Sequence, residues 1–405
     1  MVLDGAISFR ACSVIVRLLQ PFLPQFDSVP APNTVQWWLL RLGLHELQRP
    51  KEKANDWIIL VDHTIQLGRS KCLLIVGIRR SVWEKLDGPL RHEHLTVLLL
   101  EPVEKSDGQQ VDRQLESVVE MVGVPQAILS DEGSDLVNGA DLFRQRHLET
   151  YALNDIAHKA AVVLKHELSN DPHWDAFLKH CGQTQPKVKQ TDLGYLAPPT
   201  LKVKARYMNL GPLIAWGQKI LRLIDTPGAE RPEKLDFSRL EEKFGWIGDY
   251  RESLVNWADV NHVIDAVLEY ARIEGYHTQA AAELRQRLGL IAHTAAGWRM
   301  ANSLIAFVSQ QSRDIKPGES LPASSEVLES LIGKGKRLQG QHSRGGFTKM
   351  ILGMAASVVT LTSERIKEAL ETVGTLDLLD WCREHLGSSL TAQRRQALPA
   401  IAEQK

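Results

Sequence analysis

The fold is decided by the stretch Trp57-Ile58-Ile59-Leu60-Val61-Asp62-His63-Thr64, in which five consecutive apolar residues are followed by an aspartate. A short apolar run of this kind predicts a strand that is buried on both faces of a sheet. Further along the chain, similar apolar runs predict four more strands. They cover residues 71–78, 94–103, 125–129 and 150–153.

Two amphipathic helices interrupt these strands. Residues 109–122 place Val111, Leu115 and Val118 on one side of a helix, and residues 136–147 form a helix after the fourth strand. The resulting order is strand, strand, strand, helix, strand, helix, strand. This order predicts an α/β fold of the RNase H-like kind, in which helices cover a mixed sheet.

The N-terminal region, residues 1–52, is predicted to be helical and of the helix-turn-helix kind. Its second helix is predicted to begin near Asn33 or Thr34, which can cap it, and to end at Gly43, because glycine commonly ends a helix. Two short helices with a break between them are typical of a DNA reader, with Trp37 and Arg41 as candidate DNA contacts. The alternative is a plain helical hairpin that packs on the next domain.

The rest of the chain divides into three regions by texture. Residues 53–158 hold the first part of the RNase H-like core, and residues 159–314 are predicted to be a large all-helical insertion. Residues 315–405 complete the core and add C-terminal helices.

The composition excludes several classes of protein. No apolar run reaches the roughly 18 to 20 residues of a membrane span, and no phosphate-binding or dinucleotide-binding glycine loop is present. The four cysteines are scattered, which argues against a disulfide scaffold and a zinc site. The net charge of -1 counts against DNA binding, although a cluster of metal-binding carboxylates would itself lower the net charge. A cytoplasmic protein is indicated.

Two aspartates follow predicted strands that are neighbours in this fold. Asp62 follows the first strand, and Asp131 follows Ala127-Ile128-Leu129-Ser130 of the fourth strand. Each aspartate alone is typical of a turn. Together they fit two-metal phosphoryl transfer, in which carboxylates converge to hold two Mg²⁺ or Mn²⁺ ions beside a scissile phosphate.

Three short motifs carry a resemblance to a known family. Val61-Asp62-His63-Thr64, Leu129-Ser130-Asp131-Glu132-Gly133-Ser134 and Asp155-Ile156-Ala157-His158 resemble the words that surround the acids of DDE transposases. The chain resembles a bacterial insertion-sequence transposase of this type, and its helical insertion is similar to that of the hAT and P-element group. The resemblance implies that Asp155 and His158 contact the metal ligands and not the metal ions themselves. The alternative is a helix-capping aspartate and a surface histidine.

The third acid implied by the resemblance lies on the helix after the insertion. Glu329 follows Ser324 and Ser325, which can cap that helix, and it is spaced from Lys336 as in a signature of another bacterial transposase group. The Tyr and Arg that precede the Glu in that signature are absent here. The rival acids are Glu326, Glu241 and Glu242.

A basic segment flanks Glu329. Residues 331–349 contain five lysines or arginines and no acid. Such a segment fits contacts to DNA phosphates, and its alternative is a solvated basic loop. The five residues are Lys334, Lys336, Arg337, Arg344 and Lys349.

The resemblance implies a metal-dependent DNA transposase, which would cleave the ends of a mobile element and join them to target DNA. Its partners would be double-stranded DNA, namely the terminal repeats and the target, and further copies of the same chain. It would act at the nucleoid of a bacterial cell and would not need a membrane. The alternatives are a catalytically inactive, transposase-derived DNA-binding protein and a nuclease of the same fold.

Overall fold

The protein is described by a computed structural model that covers residues 1–22, 28–63, 71–103, 105–201, 207, 210–230, 235–340 and 347–386. It has two compact units, one formed by Met1–Asn154 with Ser325–Lys405 and the other by Asp155–Ser324. The sequence placed the boundaries of the insertion after residues 158 and 314, and it treated residues 1–52 as a separate region. In the structure those first residues belong to the same compact unit as the sheet.

The first unit, which we call the sheet unit, is built on a mixed sheet of five strands. The strand order is β3-β2-β1-β4-β5. Strand β2 is antiparallel to β1 and β3, whereas β4 is parallel to both β1 and β5. The prediction of an α/β, RNase H-like sheet is therefore confirmed. The strands are β1 (Trp57–His63), β2 (Lys71–Arg79), β3 (Thr96–Val103), β4 (Ala127–Ser130) and β5 (Tyr151–Asn154).

Helices precede and connect these strands. Apolar side chains on α5 and α6, such as Val118 and Phe143, pack on one face of the sheet against Ile59, Val61 and Ile128. Since the interior of this core excludes water, its burial supplies much of the stability of the unit. The helices in this part of the chain are α1 (Val2–Gly5), α2 (Phe9–Leu19), α3 (Pro32–Gln48), α4 (Arg80–Trp83), α5 (Gly108–Val122) and α6 (Ser134–Arg146).

The second unit, which we call the helical unit, confirms the predicted helical insertion. Its longest helix, α11, runs unbroken from Arg251 to Ile273 and buries Ala258 and Asp259. Aromatic side chains, including Phe177 and Trp257, pack in the interior of the unit. Its α-helices are α7 (Ile156–Ser169), α8 (Pro172–Lys189), α9 (Leu210–Ile224), α10 (Phe237–Phe244), α11 (Arg251–Ile273), α12 (Ala280–Gly289) and α13 (Ala295–Ser312).

Four more helices return the chain to the sheet unit. Helix α14 contacts β1, and α3 and α15 contact β3. None of the helices in the described parts of the chain is long and apolar enough to cross a membrane. The four helices are α14 (Glu326–Gly340), α15 (Leu352–Ala356), α16 (Ser363–Thr372) and α17 (Thr375–His385).

The prediction that Gly43 ends a helix was wrong. Helix α3 continues to Gln48, and Gly43 lies in its interior. A Cβ atom at position 43 would lie 2.1 Å from the carbonyl oxygen of Leu352. Glycine is therefore required here by the close approach of α15 to α3, and not by the end of a helix.

Candidate active site

Strand register brings the two aspartates together. In the parallel pair β1 and β4, Val61 is aligned with Ser130. Asp62 is the next residue on β1, and Asp131 is the first residue after β4, so the two occupy adjacent positions at the same end of these strands. Side chains alternate between the faces of a strand, and Val61 packs in the core under α5 and α6. Asp62 is therefore directed to the opposite face, on which Asp131 is expected by the same alternation because Ile128 also packs in that core.

The tight turn expected after Asp131 is present. The Oδ1 atom of Asp131 accepts a hydrogen bond of 2.9 Å from the backbone N–H of Gly133, the residue that precedes α6. A Cβ atom at Gly133 would lie 2.8 Å from that same oxygen. The glycine therefore leaves space for the carboxylate, which is half-buried, as is that of Asp62.

His63 lies on the face of β1 that is opposite to Asp62, where it meets a polar group that the sequence analysis did not identify. Its Nε2 atom lies 2.9 Å from Oγ of Ser106 and 3.7 Å from Oδ2 of Asp135. The ammonium group of Lys71 lies 3.4 Å from that same carboxylate oxygen. Burial lowers the pKa of His63 below its ordinary value, although the Asp135 carboxylate opposes this shift. The sequence signal for Asp135 is its position in the first turn of the helix that follows Asp131.

Glu329 lies in the first turn of α14 and is half-buried. The backbone carbonyl of Ser325 accepts hydrogen bonds from the N–H groups of Leu328 and Glu329 at the start of this helix. Apolar side chains such as Leu328 and Leu331 are buried, so the helix is fixed against the sheet unit by its apolar face.

Helix α14 continues through both of its internal glycines. A Cβ atom at Gly335 would lie 2.2 Å from Cγ of Met354, so this glycine permits close packing against α15. Glu329 and Lys336 therefore lie on one continuous helix, seven residues and about two turns apart.

Beyond Glu329, the basic residues of α14 differ in exposure. Lys336 and Arg337 are exposed, whereas Lys334 is half-buried. Burial lowers the pKa of Lys334, although the carboxylate of Asp4 opposes the shift. Arg344 lies outside the described residues.

The donor chemistry of the aspartate pair fits a hard divalent cation, because such ions prefer carboxylate oxygens. Within the part of the chain that the structure describes, no three His, Cys, Asp or Glu side chains lie close enough together to hold a metal ion. The register thus supplies two adjacent carboxylates, and Glu329 lies on a helix that contacts the same strand as Asp62.

The rival acids lie in different surroundings. Glu326 is the first residue of α14 and is half-buried. Glu241 and Glu242 lie on α10 of the helical unit, where both are exposed, and Glu242 forms an ion pair of 2.7 Å with Lys243.

Asp155 and His158 lie at the start of α7, in the helical unit. The carboxylate of Asp155 is fully buried and accepts a hydrogen bond of 2.6 Å from the N–H of Ala157. Asp155 therefore caps α7, as the alternative interpretation of the sequence expected. His158 is half-buried.

The two candidate DNA contacts of the N-terminal region take part in packing. The guanidinium group of Arg41 donates hydrogen bonds to the backbone carbonyls of Leu370 and Val373, at the end of α16. The ammonium group of Lys349 lies 3.7 Å from the ring centroid of Trp37. Contact with DNA through Trp37 or Arg41 stays a prediction.

Comparisons with known proteins were made in three ways. No protein-family model matches the chain, and no curated protein matches it. Among solved structures, the chain is similar to one described as the Drosophila P element transposase strand transfer complex, at 10% sequence identity and a TM-score of 0.43. The similarity covers 88% of this chain and 92% of that one.

Proposed function

We propose that this chain is a DNA transposase of the DDE type, which cleaves the ends of a mobile element and joins them to target DNA. The observation that carries the proposal is the register of β1 and β4, which sets Asp62 and Asp131 side by side at the same end of two parallel strands. The RNase H-like sheet, interrupted by a helical insertion, supports it.

Asp62, Asp131 and Glu329 are the proposed metal ligands. Mg²⁺ or Mn²⁺ bound as a pair would supply Lewis-acid activation of the attacking oxygen and neutralise charge on the leaving oxygen. The rigid sheet fixes the two aspartates relative to each other before DNA binds, so no binding energy is spent on ordering them. Helix α14 would bring the third carboxylate to the same side of the sheet, since it contacts β1.

The basic face of α14 would hold the DNA. Lys336 and Arg337 are exposed and lie within two to three turns of Glu329 on the same helix. Charged groups in this position would bind phosphates that flank the scissile bond and would fix the register of the duplex. The proposed partners are the terminal repeats and the target duplex, bound by more than one copy of the chain. An origin in a bacterial insertion sequence, with action at the nucleoid, belongs to the same proposal.

The proposal is tested by cleavage and joining of a duplex that carries the ends of the element encoding this chain. Asp62→Asn and Asp131→Asn each keep the size of the side chain but remove its charge. We expect each to lower the Mg²⁺-dependent or Mn²⁺-dependent rate by more than about 100-fold, the upper range for loss of a residue that merely supports a metal ligand. Circular dichroism and thermal unfolding would establish that the variants fold.

The matched control is Asp225→Asn, because Asp225 is paired with Arg251 on the surface of the helical unit. Its rate should equal that of the unmodified protein. Full activity in either Asp62→Asn or Asp131→Asn would show that the assigned pair is not the active site. Cleavage without joining would identify a nuclease, and DNA binding without cleavage under any metal condition would identify a non-catalytic DNA-binding protein.

A further inference from the structure

We infer that His63, Ser106, Lys71 and Asp135 form a clamp that sets the separation of the Asp62 and Asp131 carboxylates. In this inference, His63 and Asp135 are positioning residues of the proposed metal site. It rests on the proposed function, but its test separates a failure of the clamp from a failure of that function.

The clamp begins at the end of β1. His63 directly follows Asp62, and the contact of its Nε2 atom with Oγ of Ser106, at 2.9 Å, ties the last residue of β1 to the segment that leads into α5. Consecutive residues of a strand point to opposite faces of the sheet. A contact that holds the His63 side chain on one face therefore also fixes the backbone that carries the Asp62 side chain on the other face.

The clamp continues to the start of α6. Asp135 is the second residue of α6, and Oδ2 of Asp135 lies 3.7 Å from His63 and 3.4 Å from Lys71, the first residue of β2. Between Asp131 and Asp135 lies only the tight turn in which Asp131 accepts the N–H of Gly133. A shift in the first turn of α6 would therefore be transmitted to the carboxylate of Asp131.

The histidine and the carboxylate of the clamp are largely shielded from water, whereas the side chain of Lys71 is 37% exposed. The side chains of His63 and Asp135 are 13% and 16% exposed. Hydrogen bonds and charge pairs are stronger in a partly buried setting than at an open surface, and loss of one partner leaves the other without compensation. His63 and Asp135 are therefore buried enough for their contact to hold the end of β1 and the start of α6 in place.

The other end of α6 offers a natural control. There Arg146 pairs with Asp112 at 2.5 Å and with Glu116 at 2.7 Å, both on α5, while its own side chain is 48% exposed. This second group also ties α6 to its surroundings, but it lies roughly 16 Å along the helix from Asp135. A variant here alters the anchoring of the same helix without touching the end that follows Asp131.

The test measures Mn²⁺ binding to the full chain by isothermal titration calorimetry, without DNA. The variants are His63→Ala, Asp135→Asn, the double variant, and Ser106→Ala, which removes one hydroxyl and preserves packing. Loss of groups that support metal ligands lowers metal affinity by about 10- to 100-fold. We expect about 10-fold for each of the two main variants, little further loss in the double variant, and no change for Arg146→Ala. His63→Gln, whose Nε2 can reach the same partners, should restore most of the affinity.

Thermal unfolding in EDTA tests whether a variant acts only by unfolding the protein, and Ser106→Ala keeps the clamp testable if His63→Ala does not fold. Mn²⁺ affinity that is lost in Asp131→Asn but unchanged in His63→Ala, Asp135→Asn and Ser106→Ala would overturn the clamp alone. Independent, additive losses in the double variant would also overturn it. If the unmodified protein and Asp131→Asn both fail to bind Mn²⁺, the proposed metal-dependent function fails, and the clamp fails with it.

Discussion

Aspartates in the two units of the molecule have different surroundings. In the helical unit, Asp155, Asp171 and Asp259 all accept hydrogen bonds from backbone N–H groups at helix starts. In the sheet unit, Asp62 is the penultimate residue of β1 and Asp131 directly follows β4, and both are half-buried. Asp107 of the sheet unit likewise caps α5, and Asp131 accepts the N–H of Gly133. Asp62 and Asp131 differ from the capping aspartates because each lies beside a second carboxylate.

Asp259 shows the structural use most fully. It is 5% exposed, and its carboxylate accepts hydrogen bonds from the N–H groups of His293 and Thr294 and from the hydroxyl of Thr294. A carboxylate with several donors of this kind joins α11 to the start of α13. Several N–H and hydroxyl donors around one carboxylate therefore indicate a structural use of that aspartate.

The test with the largest expected effect removes single acids from both units and measures the rate of cleavage. Glu329→Gln should lower the rate of cleavage by more than about 100-fold, because it would remove a proposed ligand and not only its support. Glu241→Gln and Glu242→Gln, exposed on α10, should leave the rate unchanged. Glu326→Gln is the close control on the same helix. Activity that falls in a Glu241 or Glu242 variant, but not in Glu329→Gln, would move the third ligand to the helical unit.

A second test measures stability. Asp259→Ala leaves the partly buried N–H groups of His293 and Thr294 without their acceptor. We therefore expect the free energy of unfolding to fall by about 2 kcal/mol. Chemical denaturation followed by circular dichroism would measure the change. Asp131→Asn should have a much smaller effect on stability, and equal losses in the two variants would remove the contrast between the units.

The pH dependence of stability sharpens the same contrast. Burial alone would raise the pKa of Asp259, but hydrogen bonds from Thr294 and His293 lower it below the ordinary value of 3.8. A group with a lowered folded-state pKa stabilises the protein above its unfolded pKa, and this contribution is lost as the pH falls through the folded value. As the pH falls below about 4, the free energy of unfolding should therefore decrease less in Asp259→Asn than in the unmodified protein. An identical acid dependence would contradict this expectation.

The smallest expected effect concerns DNA affinity. Lys336→Ala and Arg337→Ala should weaken binding to all duplexes alike and reduce the salt dependence of binding by about one unit of slope for each lost phosphate contact. Fluorescence anisotropy at several salt concentrations would measure both. Arg285→Ala is the matched control, since Arg285 is exposed on α12 of the helical unit. A salt slope that changes for Arg285→Ala, and not for the α14 variants, would place the DNA surface elsewhere.

The sheet was predictable because its signals are local. Apolar runs such as Ile58–Val61 can be buried on both faces only in a central strand, and residues that follow them, such as Asp62, stand at a strand end. The motif around Asp131 likewise encodes its own turn, because the carboxylate accepts the N–H of Gly133 two residues away.

The sequence was least informative where a distant segment contacts a residue, and there one prediction was wrong. Gly43 is typical of a helix end, but it lies within α3 because Leu352 approaches its backbone. Contact of Arg41 with DNA stays a prediction, but no local signal in the sequence indicates that its guanidinium group donates hydrogen bonds to the carbonyls of Leu370 and Val373, more than 300 residues further along the chain.

Local signals in the sequence sufficed to predict the succession of strands and helices along the chain and the helical insertion. They also sufficed to locate Asp62 and Asp131 at the ends of apolar runs, because hydrophobic periodicity and turn chemistry act over a few neighbouring residues. Packing in the tertiary structure decided which face of the sheet those aspartates occupy. It also brought His63, Ser106, Lys71 and Asp135 together. Such groupings depend on strand register and helix docking, which are set by packing across the whole unit and leave no periodic signal in the chain.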